Sequence, residues 1–212
     1  MRRVKRSCQR VFINVPFDNT YKRFFDAIVF TVIACGCVPR CALTISNAAR
    51  TRFQKIVELV KKCPMGIHDL SRSAPGRSYQ SPRLNMPFEL GLFLGAKEFG
   101  DRSQKNKTCI VLDSHPNRYR KFISDLAGHE VSSHNNRVSD LIDVLRGWLA
   151  SAPGIDGIRI LPGGKQIYKL YVEFKKKLPK MCRREKIHRV ELTYGDYVHF
   201  VKAWLQDTGF TT

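Results

Sequence analysis

Met65-Gly-Ile-His-Asp-Leu-Ser-Arg72, followed after a polar loop by Asn85-Met-Pro-Phe-Glu-Leu-Gly91, decides how this chain is read. Met65 to Leu70 is an apolar run of strand length that ends in a polar cluster. Phe88 to Phe99 is a helical run closed by Gly100, with Asn85 placed to cap it and Pro87 suited to its first turn. Strand, loop and helix then repeat in both directions. Upstream, Val11-Phe-Ile-Asn-Val15 reads as a buried strand, and Tyr21, Phe24, Phe25, Ile28 and Val32 recur at helical spacing. Cys37 to Leu43 reads as a second strand opened by Gly36, and Phe53, Ile56, Val57 and Val60 mark an amphipathic helix stopped before Pro64. Downstream come a strand at Thr108 to Leu112, a short helix over 117–126 and a short strand at Val131 to Ser133. A clean helical stripe follows at Val138, Leu141, Ile142, Leu145, Trp148 and Leu149.

Strands alternating with helices predict an α/β fold: a flavodoxin-like three-layer sandwich with a central parallel sheet over residues 1–150, in strand order 2-1-3-4. Ser151 to Gly164 is rich in Gly and Pro and reads as a linker. Beyond it, residues 151–212 form a basic helical extension with two apolar stripes, Ile167/Leu170/Tyr171/Phe174/Leu178 and Tyr194/Tyr197/Val198/Val201/Trp204/Leu205. Each stripe needs a surface to dock on.

The chain has 212 residues, 43% of them hydrophobic, and a formal charge of +19. Residues 1–10 contribute +5 and residues 163–190 contribute +8, so most of the excess lies at the two ends. Such patches attract nucleic acid, nucleotides or acidic proteins, or are solvated helix faces. The candidate docking residues are Lys175, Lys176, Lys177, Arg183 and Arg184. The odd count of seven cysteines, without framework spacing, reads as buried thiols in a reducing cytoplasm and not as a metal site. The longest apolar run, Ala27 to Cys37, is too short to span a bilayer. Neither G-x-G-x-x-G nor a Walker A sequence is present, which argues against a dinucleotide redox enzyme or a P-loop NTPase.

Open parallel sheets bind ligands beyond the carboxyl ends of their strands, where the strand order reverses. For order 2-1-3-4 that point lies between the first and third strands. Asn14-Val-Pro-Phe-Asp18 leaves the first, and His68-Asp-Leu-Ser-Arg72 leaves the third. The helix bearing Glu89 starts on the same side. Glu89 is expected in the first helical turn, where the helix dipole keeps it ionised. An ionised carboxylate suits a nucleophile or the stabiliser of a developing positive charge, not a general acid. Asp69 and Ser71 either hold a ribose hydroxyl, orient Glu89, or form a turn-and-cap pair. His68 is expected to satisfy a local hydrogen bond. Arg72, Arg77 and Arg83 line the loop and either clamp phosphates or are solvated. Phe17 and Asp18 are placed at the pocket rim, with Phe17 as a stacking surface. Leu90, Gly91 and Gly95 are expected to let the helix pack closely on the sheet.

Four segments of the chain resemble bacterial TIR-like proteins related to nucleoside 2-deoxyribosyltransferases: Val11-Phe-Ile-Asn-Val-Pro-Phe-Asp18, Ile67-His-Asp-Leu-Ser-Arg72, Asn85-Met-Pro-Phe-Glu-Leu-Gly-Leu-Phe-Leu-Gly95 and Ser124-Asp-Leu-Ala-Gly128. The resemblance covers roughly residues 10–150, and Phe-Glu-Leu-Gly is its most specific element. It implies that Glu89 attacks or stabilises an anomeric carbon, with Asp69, Ser71 and Asn85 as weaker carry-overs. The implied activity is cleavage of the base–ribose bond of NAD or a related nucleotide, which is the substrate and not a cofactor. The implied setting is a toxic effector of antiphage defence, its site often completed by self-assembly. Nicotinamide leaves NAD as a neutral molecule and needs no general acid, which favours NAD over purine nucleosides. One stretch departs from the family pattern. Where relatives are acidic after the second strand, this chain reads Ala42-Leu-Thr-Ile-Ser-Asn-Ala-Ala-Arg50, which implies as an alternative an impaired, nucleotide-sensing or nucleic-acid-binding module of the same fold.

Overall fold

A computed structural model describes residues 9–45, 47–74, 82–152 and 160–210. Its centre is a five-stranded, all-parallel sheet in the order β2-β1-β3-β4-β5. The strands are β1 (Arg10–Asn14), β2 (Val38–Arg40), β3 (Met65–Asp69), β4 (Thr108–Asp113) and β5 (Val131–Ser133). The helices are α1 (Lys22–Ala34), α2 (Arg52–Lys62), α3 (Asn85–Phe99), α4 (Arg102–Lys105), α5 (Val138–Ser151), α6 (Gly164–Arg184) and α7 (Tyr194–Asp207). This is the flavodoxin-like α/β sandwich that the alternation predicts.

Side chains alternate across the sheet with the two-residue period of a strand. Val11, Ile13, Met65, Ile67, Ile110 and Leu112 face a large core shared with α1 and α5. Phe12 faces the other way and packs with Ile56, Leu59 and Val60 of α2 and Phe93 of α3. Gly66 lies under α3. A Cβ there would stand 2.6 Å from His68 Nε2 and 3.1 Å from the Phe93 ring, so the close approach of this helix depends on that glycine. Gly91 and Gly95 do not serve this purpose. Gly91 is exposed and a Cβ on it would meet open space, while the nearest atom to one on Gly95 is 3.9 Å away on Phe99 of the same helix.

The expected strand over Cys37 to Leu43 is only Val38–Arg40, followed by a 3-10 turn at Ala42–Thr44. Just past the strand end, the Thr44 hydroxyl donates to the Cys41 carbonyl, so a side chain satisfies backbone that a longer strand would pair, and within β2 the Tyr194 hydroxyl donates to the Pro39 carbonyl. The helix expected over 117–126 is two 3-10 turns, Arg118–Lys121 and Ser124–Leu126. Asn117 enters the first in the left-handed conformation (φ 58°), and Phe122 breaks the run.

The basic extension docks on the sheet domain. Its apolar stripes (Ile167, Leu170, Tyr171, Phe174 and Leu178, then Tyr197, Val201, Trp204 and Leu205) belong to the same core as α1 and α5. Helix α1 is therefore covered on both sides, and every residue from Phe24 to Ala34 is buried. A helix apolar all round requires such cover. Tyr171 and Tyr197 donate from their hydroxyls to the Arg23 and Asp26 carbonyls of α1. The buried Asp26 carboxylate pairs with Lys22 at 3.0 Å and with Lys175 at 2.7 Å. Lys175 is thus a staple between extension and sheet domain, not the free docking cation expected from the sequence. Lys176, Lys177, Arg183 and Arg184 are exposed. Among the described residues no helix is long and apolar enough to cross a membrane.

Candidate functional site at the carboxyl ends of β1 and β3

The strand order reverses between β1 and β3, as expected, and the polar residues cluster there. Asn14 ends β1 and is buried. Its amide nitrogen donates to His68 Nδ1 at 3.0 Å and to the Met86 carbonyl at 2.9 Å, tying β1 to both β3 and the first turn of α3. Its carbonyl oxygen is buried with no partner among the described residues. Such an acceptor needs a donor from elsewhere. His68 is fully buried between the Phe12 and Phe93 rings, and burial together with the Lys107 charge pushes its pKa down to about 3. It is a neutral hydrogen-bonding residue, as expected.

Asp69 is fully buried at the end of β3. It accepts from the Tyr21 hydroxyl at 2.6 Å and from the Ser71 backbone N–H at 2.8 Å, and His134 Nε2 lies 3.2 Å from its carboxylate. Burial pushes its pKa up, but His134, Ser71 and Tyr21 together hold it below the ordinary aspartate value. Ser71 Oγ is 2.9 Å from the same His134 Nε2. Serine, histidine and aspartate meet here without forming a nucleophilic triad. A triad places serine and carboxylate on opposite ring nitrogens, whereas both meet Nε2 here, and His134 Nδ1 is buried with no partner among the described residues. Asp69 and Ser71 are a positioning network that locks α1, β3 and the loop after β5.

Glu89 is buried, at 4% exposure. Helix α3 starts with Leu84 at its N-cap, in a helical conformation and without a side-chain cap. Asn85 is therefore the first helical residue and not the cap, and Glu89 falls in the second turn. The first-turn argument for its ionisation does not apply. Burial raises the Glu89 pKa, offset in part by the charge of Arg52, by the nearby Asn85 side chain and by hydrogen bonding to Arg52. Arg52, the first residue of α2, reaches Glu89 at 3.6 Å while its own side chain is 60% exposed. Thr51 and Gln54 fix that helix start by a reciprocal capping box. The next residue along α2 and the one preceding Glu89 on α3 are exposed aromatics. The Phe53 and Phe88 rings lie 6.2 Å apart beside the ion pair.

The rim of the site is tied together. The Asp18 carboxylate accepts from the Tyr21 backbone N–H at 2.9 Å and lies 3.8 Å from Arg72, which also donates to the Thr20 hydroxyl. Partial burial raises the Asp18 pKa, but Thr20, the Tyr21 N–H, Arg72 and Arg83 together lower it. Arg72 therefore bridges the exits of β1 and β3. Phe17 is at the rim, edge-on to Phe25 at 5.2 Å and partly exposed. Arg77 lies outside the described residues.

Tyr21, Arg52 and His134 were not singled out by sequence. Tyr21 reads as one apolar position of a helical stripe, and Arg52 and His134 lie far along the chain from their partners. Among the described residues five cysteines are buried and Cys109 is partly so, and burial raises the pKa of Cys35 and Cys41 to about 12. No group of three or more metal-ligating side chains occurs among the described residues. No protein family and no curated protein matches this chain.

Proposed function

We propose that the protein is an N-glycosidase that cleaves the base–ribose bond of NAD or a related nucleotide at Glu89. The observation that carries this reading is the pairing of a buried carboxylate with an exposed arginine beside two exposed aromatic rings, at the sheet's topological switch point. Phe53 and Phe88 offer a face to a flat base. A substrate phosphate is a better bidentate partner for Arg52 than a carboxylate 3.6 Å away.

When the C–N bond breaks, its electron pair leaves with the base and positive charge builds on the ribose. A nearby carboxylate stabilises that charge or traps it covalently, and water then completes hydrolysis. The orphaned Asn14 carbonyl supplies an acceptor for a ribose hydroxyl. Loss of NAD would make such an enzyme toxic to its cell, as the resemblance to defence effectors implies. The test is base release from a panel of NAD, nicotinamide mononucleotide, and purine and pyrimidine nucleosides and deoxynucleosides. Release from at least one, falling by roughly 100-fold or more in Glu89→Gln, is expected. Release from none, or equal release by both proteins, overturns the proposal.

A further inference from the structure

We propose that the groove between the extension and the sheet domain binds single-stranded nucleic acid, by stacking a base on Tyr168 and holding phosphates with Arg23, Lys176 and Arg189. The groove has a volume of about 390 Å³. Its floor is apolar, made by Val138, Tyr168, Tyr171 and Val172. Tyr168, Tyr171/Val172 and Lys175/Lys176 recur at the three- and four-residue spacing that puts them on one face of α6. Tyr171 is fixed by its hydrogen bond to the Arg23 carbonyl, whereas Tyr168 is 39% exposed.

The rim is cationic, and among the described residues no carboxylate lines it. Lys175 is neutralised by Asp26 at 2.7 Å. The other three are in no ion pair among the described residues. Arg23 stacks on Phe24 at 4.7 Å and makes one long bond to the Asn136 carbonyl at 3.5 Å. Lys176 and Arg189 have no acidic partner among the described residues. An exposed ring on an apolar floor, edged by unmatched cations, is what a single strand requires: bases stack on aromatic faces while cations track the backbone. A duplex hides its base faces and an acidic peptide has no flat group to stack, so neither uses Tyr168. This site is on a different face of the fold from Glu89 and does not depend on catalysis.

The test is fluorescence anisotropy of the full-length protein with a labelled single-stranded oligonucleotide, compared with duplex of the same length and with polyglutamate. Single strands bind best, and binding weakens steeply with salt. Tyr168→Ala lowers affinity roughly 5- to 100-fold and Tyr168→Phe retains it. The double variant Lys176→Glu/Arg189→Glu flattens the slope of log affinity against log salt by about 0.7 for each phosphate it no longer holds. Lys121→Glu, an exposed cation elsewhere, alters binding far less than the double variant. Unchanged melting temperatures show that the variants fold. The proposal is overturned if Tyr168→Ala binds like the native protein, if Lys121→Glu equals the double variant, or if duplex or polyglutamate binds as tightly as the single strand.

Discussion

Replacing Phe174 with alanine tests whether the extension is part of one cooperative core. The Phe174 ring is completely buried, with centroids 5.5 Å from Phe30, 5.7 Å from Tyr197 and 5.8 Å from Trp204. It is the point where α6 meets α7 and the sheet-covering helix α1. Truncation removes the transfer free energy of a whole ring and leaves a cavity that three aromatic neighbours cannot easily fill. The cost for such a residue is about 3–5 kcal/mol. For a domain of this size each kcal/mol lowers the melting temperature by about 2–4 °C, so a drop of roughly 6–20 °C is expected. Urea titration read by far-UV circular dichroism reports the helices of the sheet domain and of the extension together, and tryptophan fluorescence reports Trp148 on α5 and Trp204 on α7. If the core is shared, both signals move together to a lower midpoint in Phe174→Ala. Two separate unfolding transitions, or midpoints that differ between the two signals, would refute the shared core.

Two further outcomes follow from the site. Burial raises the Glu89 pKa above its ordinary 4.5, so the folded state binds more protons than the unfolded state between these values, and stability falls as pH rises through that window. Glu89→Gln should therefore melt higher than the native protein at neutral pH, with the difference vanishing below about pH 4.5; a lower melting temperature at neutral pH would contradict the burial argument. Asp69 has the opposite sign: its lowered pKa gives stability that is present above 3.8 and lost as pH falls through the folded value. Tyr21→Phe removes a 2.6 Å donor to that carboxylate, should cost about 1.5–3 kcal/mol, and should move acid unfolding to higher pH. An unchanged acid-unfolding profile would show that the hydroxyl does not hold Asp69.

The sheet was legible because strands of near-continuous apolar residues are a strong local signal and a parallel sheet leaves few orders to choose from. Asn14, His68 and the first turn of α3 meet at the switch point because topology brings those chain ends together, whereas Asp69 is engaged by Tyr21, Ser71 and His134, and Glu89 by Arg52. Details set by single residues were not legible. The start of α3 depends on Leu84 adopting a helical conformation, and one residue of difference moves Glu89 out of the first turn. The ionisation of Glu89 follows burial and Arg52, which no local pattern reports. Lys175 sits in a run of three lysines, and only the buried Asp26, on a helix from the other end of the chain, gives it a different role. The Asp26 signal was present, a carboxylate inside an otherwise apolar helix, but its partner could not be read from spacing.

The double cover of α1 sets an order of events during synthesis. Residues Phe24 to Ala34 are made early, and the α7 residues that close over them are made on the order of 170 residues later. At about 5–20 residues per second, that helix waits roughly 10–35 s with one apolar face open to water. A nascent chain in that interval is sticky and a natural client for holding chaperones. A chain cut short anywhere within α6 or α7 keeps the exposed face permanently, so premature stops in the last quarter of the sequence produce aggregates and not a smaller working protein.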